Sequence, residues 1–501
     1  MAWSLSGFTF RFQVAFDAGP RNGSPTWVDV TTDVRAAEGF TSRRGRTDGY
    51  SRVASGTADV SMRNGTEGGA VAGRWTPGVA AGPWHPLKLR RQARLQVQWS
   101  SVWYDLWAGH VSDLAPKWVG AASPVCDLSL SDLLANLAIT RLPSLVVGEM
   151  LSDAPALMYP LDDDAASSTA GDRSGIDGIP TLGIVQVGSN GTLAFGAGLA
   201  PGPDGGTVAA FTTGTGSYDA SNGKMLKTAS SVSTIINSGF GGDVLAAMLR
   251  PSGSRAMTAL SAEGALSITI RVGTSASGKA VGTIVSPLDA VNVTLTGSTT
   301  LPLTSATAVA LRQSVSAGTV TCDLLVNGAV EATTTYARAF VLSACPDLYV
   351  GGQAGGALWD GQISHVAWYN TAVSTARLLE QSNARTGFLA ERTDQRFARL
   401  CRIAGLPSTL YTAGTGLSTM CAQPVAGQSL PEALAKVQDA EAGVVGIDAA
   451  GKLRLYPRDA RYNAAVALTL DARTEILNDL SGFVVNDERS EEHTSELQSQ
   501  R

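Results

Sequence analysis

Phe8, Phe10, Phe12, Val14 and Phe16 alternate with other residues over nine positions, which predicts a strand with one apolar face. Leu95-Gln96-Val97-Gln98-Trp99 and Tyr104-Asp105-Leu106-Trp107 repeat the alternation, and the short gap at 100–102 predicts a hairpin between them. The period then changes. Leu130, Leu133, Leu134 and Leu137 fall on one helical face, which predicts a helix near 131–138 capped by Ser129 or Ser131. Residues 1–150 thus read as β-rich, closed by a helix.

From 159 to 370 the chain reads almost wholly as strand and turn. Asn327-Gly328 lies between the β-prone runs 319–326 and 329–335, and both turn residues tolerate the positive φ of a tight hairpin. Strands are also predicted at 266–272, 307–312 and 363–369. Many short strands between Gly/Ser/Thr turns indicate a sandwich. Helices return afterwards. Ser374 caps one through about 383. Thr393 caps a second, with Phe397, Leu400, Cys401 and Ala404 on one face and Gly405 as its stop. Pro431 suits the first turn of a third, over about 431–440. Strands at 444–448, 452–456 and 465–470 follow, with Ala450-Gly451 turning between the first two.

Composition supports several domains. Of ten tryptophans, eight lie before residue 120, and only Trp359 and Trp368 lie beyond. Charged residues are 16% of the 501, below the ~25% of an average globular chain. The net charge of −5 gives no general attraction to nucleic acid or anionic membranes. The N-terminus lacks the basic start, apolar run and cleavage site of a signal peptide, so synthesis in a cytoplasm is expected. No apolar run approaches the ~20 residues of a membrane span. Cys126, Cys322, Cys345, Cys401 and Cys421 include no C-x-x-C pair, which favours buried small apolar residues over disulfides or a zinc site.

The chemistry is sparse. His85, His110, His365 and His493 are mutually distant, and no H-E-x-x-H, G-x-S-x-G or Walker A motif occurs. His365, inside a predicted strand, reads as a structural, hydrogen-bonded histidine. Retaining glycosidases need two carboxylates ~5–5.5 Å apart, which on one strand means acids at i and i+2 or i+4. Asp243, Glu263, Asp289, Asp323, Glu331, Asp347 and Asp360 stand singly. Asp162-Asp163-Asp164 offer oxygen ligands for Ca²⁺, but a solvated acidic loop is the favoured reading. Ser42-Arg43-Arg44-Gly45-Arg46, the densest basic run, reads as an exposed loop rather than a phosphate contact. Trp359-Asp360-Gly361 suits stacking on a sugar, with core packing beside Trp368 the favoured alternative. No catalytic, cofactor or metal residue is assigned, and ligand-binding residues stay open.

Three resemblances add to this. Trp27-Val28-Asp29-Val30-Thr31-Thr32-Asp33-Val34-Arg35, then Gly45-Arg46, Gly56-Thr57-Ala58-Asp59-Val60, Arg63-Asn64 and Tyr104-Asp105-Leu106-Trp107-Ala108-Gly109, resemble minor tail proteins of long-tailed bacteriophages. Thr393–Leu400, Gly405-Leu406-Pro407, Ala449–Leu453 and Val485-Asn486-Asp487 are similar to a later part of the same family. Between them, Tyr159-Pro160-Leu161-Asp162, Asp172-Arg173-Ser174-Gly175, Leu324–Gly328 and Gly361–Asn370 resemble laminin-G-like, concanavalin A-like jelly rolls. The internal Trp and the His before the hairpin that this family often carries are missing, which weakens any inherited ligand or Ca²⁺ site. Finally, 489–499 resembles an in-frame translation of a sequencing adapter, so 489–501 reads as artefact, His493 with it.

The expected architecture is mainly β. A tail-associated domain over 1–150, a jelly roll over 156–388 and a truncated α+β segment over 389–488 are expected, the jelly roll being an insertion that makes few contacts with its neighbours. The expected role is structural rather than enzymatic. It is that of a minor tail protein in the virion, joining other tail proteins in an oligomer and adhering to the host surface, a glycan among its candidates. A concanavalin-type glycan hydrolase and a free extracellular lectin are the alternatives.

Overall fold

The computed structural model describes residues 3–5, 8–35, 38–45, 52–65, 73–76, 88–119, 123–235, 242–264, 268–287, 289–338 and 346–462. Expectations about His85, Cys345, Arg46, the strand at 465–470, the motif at 485–487 and the segment 489–501 lie outside them. The chain divides into two compact units, Met1–Pro457 and Arg458–Arg501. Within the second, the described part is the helix Arg458–Tyr462.

The first unit opens with an eight-stranded antiparallel sheet. Strand Phe8–Ala15 pairs with Gln92–Trp99, which pairs with the long strand Val102–Val119. The predicted hairpin forms, and its two turn residues, Ser100 and Ser101, both take positive φ. Phe12, Val14, Leu95, Trp107 and Val111 point inward and meet Val60, Met62, Trp75 and Leu128 in one core. At its edge Asp33 is fully buried, accepting from Arg74 Nη1 at 2.6 Å and Trp75 Nε1 at 3.0 Å. The basic run lies on the outermost strand, Phe40–Gly45, where Arg43 and Arg44 are exposed. Charged side chains on an edge discourage strand addition.

Helix α1, Leu133–Ala138, starts later than the leucine pattern predicts. Ser129 and Ser131 are still paired in strand Ser123–Ser131, so neither can cap. Asp132 caps instead, accepting from Leu134 N with one oxygen and from Gly56 N with the other. Helix α2, Leu145–Leu151, was not predicted.

Strands from Leu157 to Tyr369 form the sandwich, two eight-stranded antiparallel sheets. The chain crosses repeatedly between them, the topology of a jelly roll. The first sheet has Asp243–Pro251 paired with Gly361–Tyr369 on one side and Thr307–Ser316 on the other. The second has Asp347–Val350 between Gly223–Thr228 and Met257–Glu263. Their inner faces bury Leu245, Leu249, Ile270, Leu311, Leu324, Ile363 and Trp368 together. The Asn327-Gly328 turn forms as predicted, with φ of 51° and 78°. The mainly β, jelly-roll expectation is borne out.

The sandwich is followed by α3, Thr375–Ala384, capped by Ser374 as predicted. Next come α4, Thr393–Ile403, and α5, Leu430–Glu441. Arg392 rather than Thr393 occupies the cap of α4. Thr393 is the first helical residue, and its hydroxyl donates to the buried Glu441. Pro431 sits in the first turn of α5 behind a Ser429/Glu432 capping box. Strands Val444–Ile447 and Leu453–Tyr456 pair as a hairpin, and Tyr411–Ala413 adds in parallel.

The sandwich is not an isolated insertion. The outer face of its first sheet carries Met158, Val244, Ala246, Met248, Ala310, Leu325, Ala367 and Tyr369. These residues share one core with Leu133, Leu137, Leu145 and Met150 of α1 and α2, and with Phe397, Leu400, Leu430 and Leu434 of α4 and α5. The expectation of few contacts fails because this sheet is apolar on both faces and needs a second layer. Gly148 of α2 is placed where a Cβ would strike Ile403 of α4, so the two helices meet closely. Polar staples reinforce the seam. Asp204, in a sandwich loop, accepts from Leu145 N at 2.7 Å, Val425 N at 2.5 Å and Ala426 N at 2.8 Å.

Candidate functional site

The two outer faces of the sandwich differ in kind. The first is apolar and covered. The second is the more open of the two: Ser261 and Tyr349 are buried on it, and Met225, Tyr349 and Leu358 form a small apolar cluster with Val185 and Val187, but Lys227, Arg271, Thr283 and Gln353 are half-exposed. Alternation along its strands sends Leu348, Val350, Leu260, Ala262, Ile270, Val272 and Ile284 into the core. It sends Tyr349, Ser261, Arg271 and Thr283 outward. Register places these four abreast with Lys227, in the order Lys227, Tyr349, Ser261, Arg271, Thr283.

Glu263 and Asp347 are also register partners on this face. Reading the acids singly along the sequence missed this pair, because its members belong to strands remote in the chain and meet only through the sheet order. Each acid has its own cation. Arg271 Nη2 lies 3.5 Å from Glu263, and Lys227 Nζ lies 3.1 Å from Asp347. Ser261 Oγ donates to Glu263 at 2.6 Å, and Lys227 also stacks 5.3 Å from the Tyr349 ring. The Lys227 amine is held above its ordinary range: burial pulls it down, but hydrogen bonds to Asp347 and Tyr349 outweigh that. Next to this row is a depression of about 210 Å³ whose lining includes Thr258, Arg271, Gly273, Val281, Thr283 and Gln353. The chemistry on offer is that of a binding face: hydroxyls, an amide, a guanidinium and a small apolar patch.

A larger cleft, about 600 Å³, lies between α3 and α4 and includes Glu380, Phe388, Glu391, Arg399, Arg402 and Tyr411 in its lining. Behind the lining residues Arg399 and Arg402, Glu149 of α2, fully buried, accepts from Arg399 at 2.5 Å, Arg402 at 2.7 Å and Arg377 at 2.8 Å. Burial alone raises the Glu149 carboxyl, but the charges of Arg399, Arg402 and Arg377 outweigh it and hold the group below the usual carboxylate range. Arg377 also binds Asp153 at 2.8 Å, and Arg396 binds Glu391 at 2.7 Å. Acids and guanidiniums balance, so this cluster is a clamp joining the chain before the sandwich to the chain after it.

The remaining candidates fall as follows. Trp359 and Trp368 are fully buried, so neither can stack on a sugar, and core packing holds. Asp162 pairs with Arg173 at 3.0 Å, and Asp163 accepts from Gly171 N at 3.1 Å. Among the described residues no three His, Cys, Asp or Glu side chains gather as a metal site. His365 is buried at φ 52°, its backbone N–H donating to Pro160 O, but its ring Nδ1 has no hydrogen-bond partner. The histidine is thus buried in the core as expected, but its Nδ1 lacks the expected hydrogen bond. Burial, with Arg173 nearby, lowers this imidazole to about 4. His110 behaves alike, lowered to about 4 by burial and then Arg90, its Nδ1 also unpartnered. Asp243 is buried and accepts from Gln313 Nε2 at 3.0 Å, and Asp323 pairs with Arg312 at 2.7 Å. Cys126, Cys322 and Cys401 are buried as expected, whereas Cys421 is exposed. Among the described residues no helix is long and apolar enough to cross a membrane.

No family model matches the chain. No curated protein matches it either. Solved structures give partial likenesses. Domain 4 of AbnA, a GH43 extracellular arabinanase from Geobacillus stearothermophilus, is 15% identical over 46% of this chain and 98% of its own, at a TM-score of 0.33. The receptor binding domain of a botulinum neurotoxin C/D mosaic serotype is 10% identical over 48% of this chain and 54% of its own, at 0.34. The CBM40 of Ruminococcus gnavus IT-sialidase is 14% identical over 30% of this chain and 90% of its own, at 0.25. Likenesses this distant say nothing about ligand or activity.

Proposed function

We propose that this chain is a structural minor tail protein of a phage tail tip, whose sandwich adheres to the host surface through a glycan. The observation that carries the adhesion reading is the contrast between the two outer sheet faces. One is buried against helices, which fixes the sandwich to the rest of the unit, and the other presents the half-exposed Thr283, Gln353 and the paired charges of Arg271 and Lys227 to solvent. Binding without chemistry needs no more than such a face. The tail assignment is supported by the flanking stretches that resemble one family. Residues 133–151, which follow the first of these stretches, share one core with residues 397–455 and with the covered sheet of the sandwich. Two experiments test the reading. Antibodies against the chain should label tail tips in negative-stain micrographs of virions, and labelling elsewhere would refute the assignment. A glycan array with the full chain, followed by product analysis, should give retention without cleavage.

A second reading rests on the Glu263/Asp347 pair. A retaining glycosidase needs two carboxylates facing one site, and Glu263 and Asp347 stand opposite each other on this face. Release of reducing sugar from host envelope glycans, abolished by Glu263→Gln and by Asp347→Asn, would establish it in place of simple adhesion.

A further inference from the structure

We infer that the depression around Gly273 on the open sheet receives an uncharged sugar ring of a neutral polysaccharide and discriminates against chains bearing uronate or sialate. The inference rests on the adhesion reading and names the ligand class of that face.

The depression has a simple origin. Gly273 lies abreast of Thr258 on one side and Val281 on the other, so a residue without a side chain sits between two that have one. The strand needs glycine here, because a Cβ would strike the Met257 carbonyl. Arg271, two residues along the same strand face, stands opposite Thr283. Gln353 leans in from a turn. Its amide oxygen accepts from Thr258 Oγ1 at 3.3 Å, which leaves the amide nitrogen as the end that can meet a ligand. Hydroxyls, one amide and one guanidinium around an apolar Val281 are what a ring with hydroxyls on its rim and C–H groups on its face can use. About 210 Å³ is below the ~300–1,000 Å³ of a drug-sized site. It suits one ring, with the rest of a chain lying across the sheet.

Charge decides the class. Arg271 is already engaged by Glu263 at 3.5 Å and, through Nε, by Ser261 at 3.4 Å. Lys227 is engaged by Asp347. An incoming carboxylate would add a third negative charge beside Glu263 and Asp347, which already stand directly opposite each other with one cation apiece, and like charges in register destabilise a sheet. An uncharged ring can accept from Arg271 and Gln353 and leave both ion pairs in place.

The test uses the full chain and two sets of probes: neutral dextran, mannan and galactan oligosaccharides, and acidic polygalacturonate fragments and sialyllactose. Saturation-transfer NMR and titration calorimetry read the binding. At least one neutral chain should bind, with acidic chains about tenfold weaker or worse. The affinity should not change between low and high salt, since no net charge is neutralised. Gln353→Ala and Thr283→Trp, which remove the amide and fill the depression, should each weaken binding about tenfold with unchanged melting. Salt-sensitive binding of acidic chains alone would overturn the inference and leave adhesion standing. Neutral binding untouched by both substitutions would place the site elsewhere, with the same consequence. Retention of no glycan would overturn the adhesion reading and the inference together.

Discussion

Replacing Glu149 by glutamine tests the clamp that closes the chain around the sandwich. The substitution keeps the shape and removes one charge. Arg377, Arg399 and Arg402 then face a neutral amide, with Glu149 fully buried and Arg399 nearly so. Removing one partner of a buried ion pair costs about 3–5 kcal/mol, because the other charges stay desolvated. Asp153, Glu380 and Glu391 still compensate part of the guanidinium charge, so the lower end of that range applies. At about 2.1 cal/mol/K per residue, a unit of 457 residues has an unfolding entropy of roughly 1 kcal/mol/K. The expected shift is therefore about 3 °C in melting temperature, with a matching fall in urea midpoint. Arg402→Gln in the same background should recover part of the loss, since Arg402 is the most exposed of the three guanidiniums. An unchanged urea midpoint in Glu149→Gln, or a further fall on adding Arg402→Gln, would refute the clamp.

Three other outcomes follow from the same geometry. Asp204→Ala strips the acceptor from three backbone N–H groups at the seam and should cost about 1–3 kcal/mol, read as a lower urea midpoint, whereas Asp162→Ala on an exposed pair should be near neutral. His110 and His365 are held at about 4 in the fold against 6.5 in the unfolded chain. Stability is thus whole above pH 6.5 and falls as pH drops toward 4, by about 3 kcal/mol per histidine; the lowered Glu149 carboxyl adds a further loss below its usual value of 4.5. Denaturant midpoints measured across this range should show the slope, and His365→Gln should flatten it. A fragment of residues 156–388 exposes the apolar face around Met158, Val244, Met248 and Tyr369, so it should aggregate or bind the dye ANS, whereas a fragment of residues 132–457 should not.

The sequence discloses elements whose signal is local. Asn327-Gly328 specifies its own hairpin, Ser374 its own cap, and the alternation from Phe8 to Val14 its own strand. Helix α2 is illegible because six of its seven residues are buried, which erases the helical period, and Ser144 before it was the one cue left. The double burial of the first sheet did leave a trace. Val244-Leu245-Ala246-Ala247-Met248-Leu249 is apolar without alternation, as a strand covered on both faces should be. The open face left almost none. Ser261, Arg271, Thr283, Lys227 and Tyr349 become neighbours through the order of strands, which no local pattern encodes.

The seam also governs mechanics. A module tied on by two flexible linkers would swing, and a pull on it would first straighten those linkers. Here α2 and α3, which carry the chain into and out of the sandwich, are bound to each other through Glu149, Asp153 and Arg377. The covered sheet is bedded on the helices beyond them. A tug on the open sheet is therefore delivered to the remainder of the unit as force and torque on a stiff lever, with little slack to absorb it. A ligand that gripped that sheet would therefore set the angle of this unit as well as hold it.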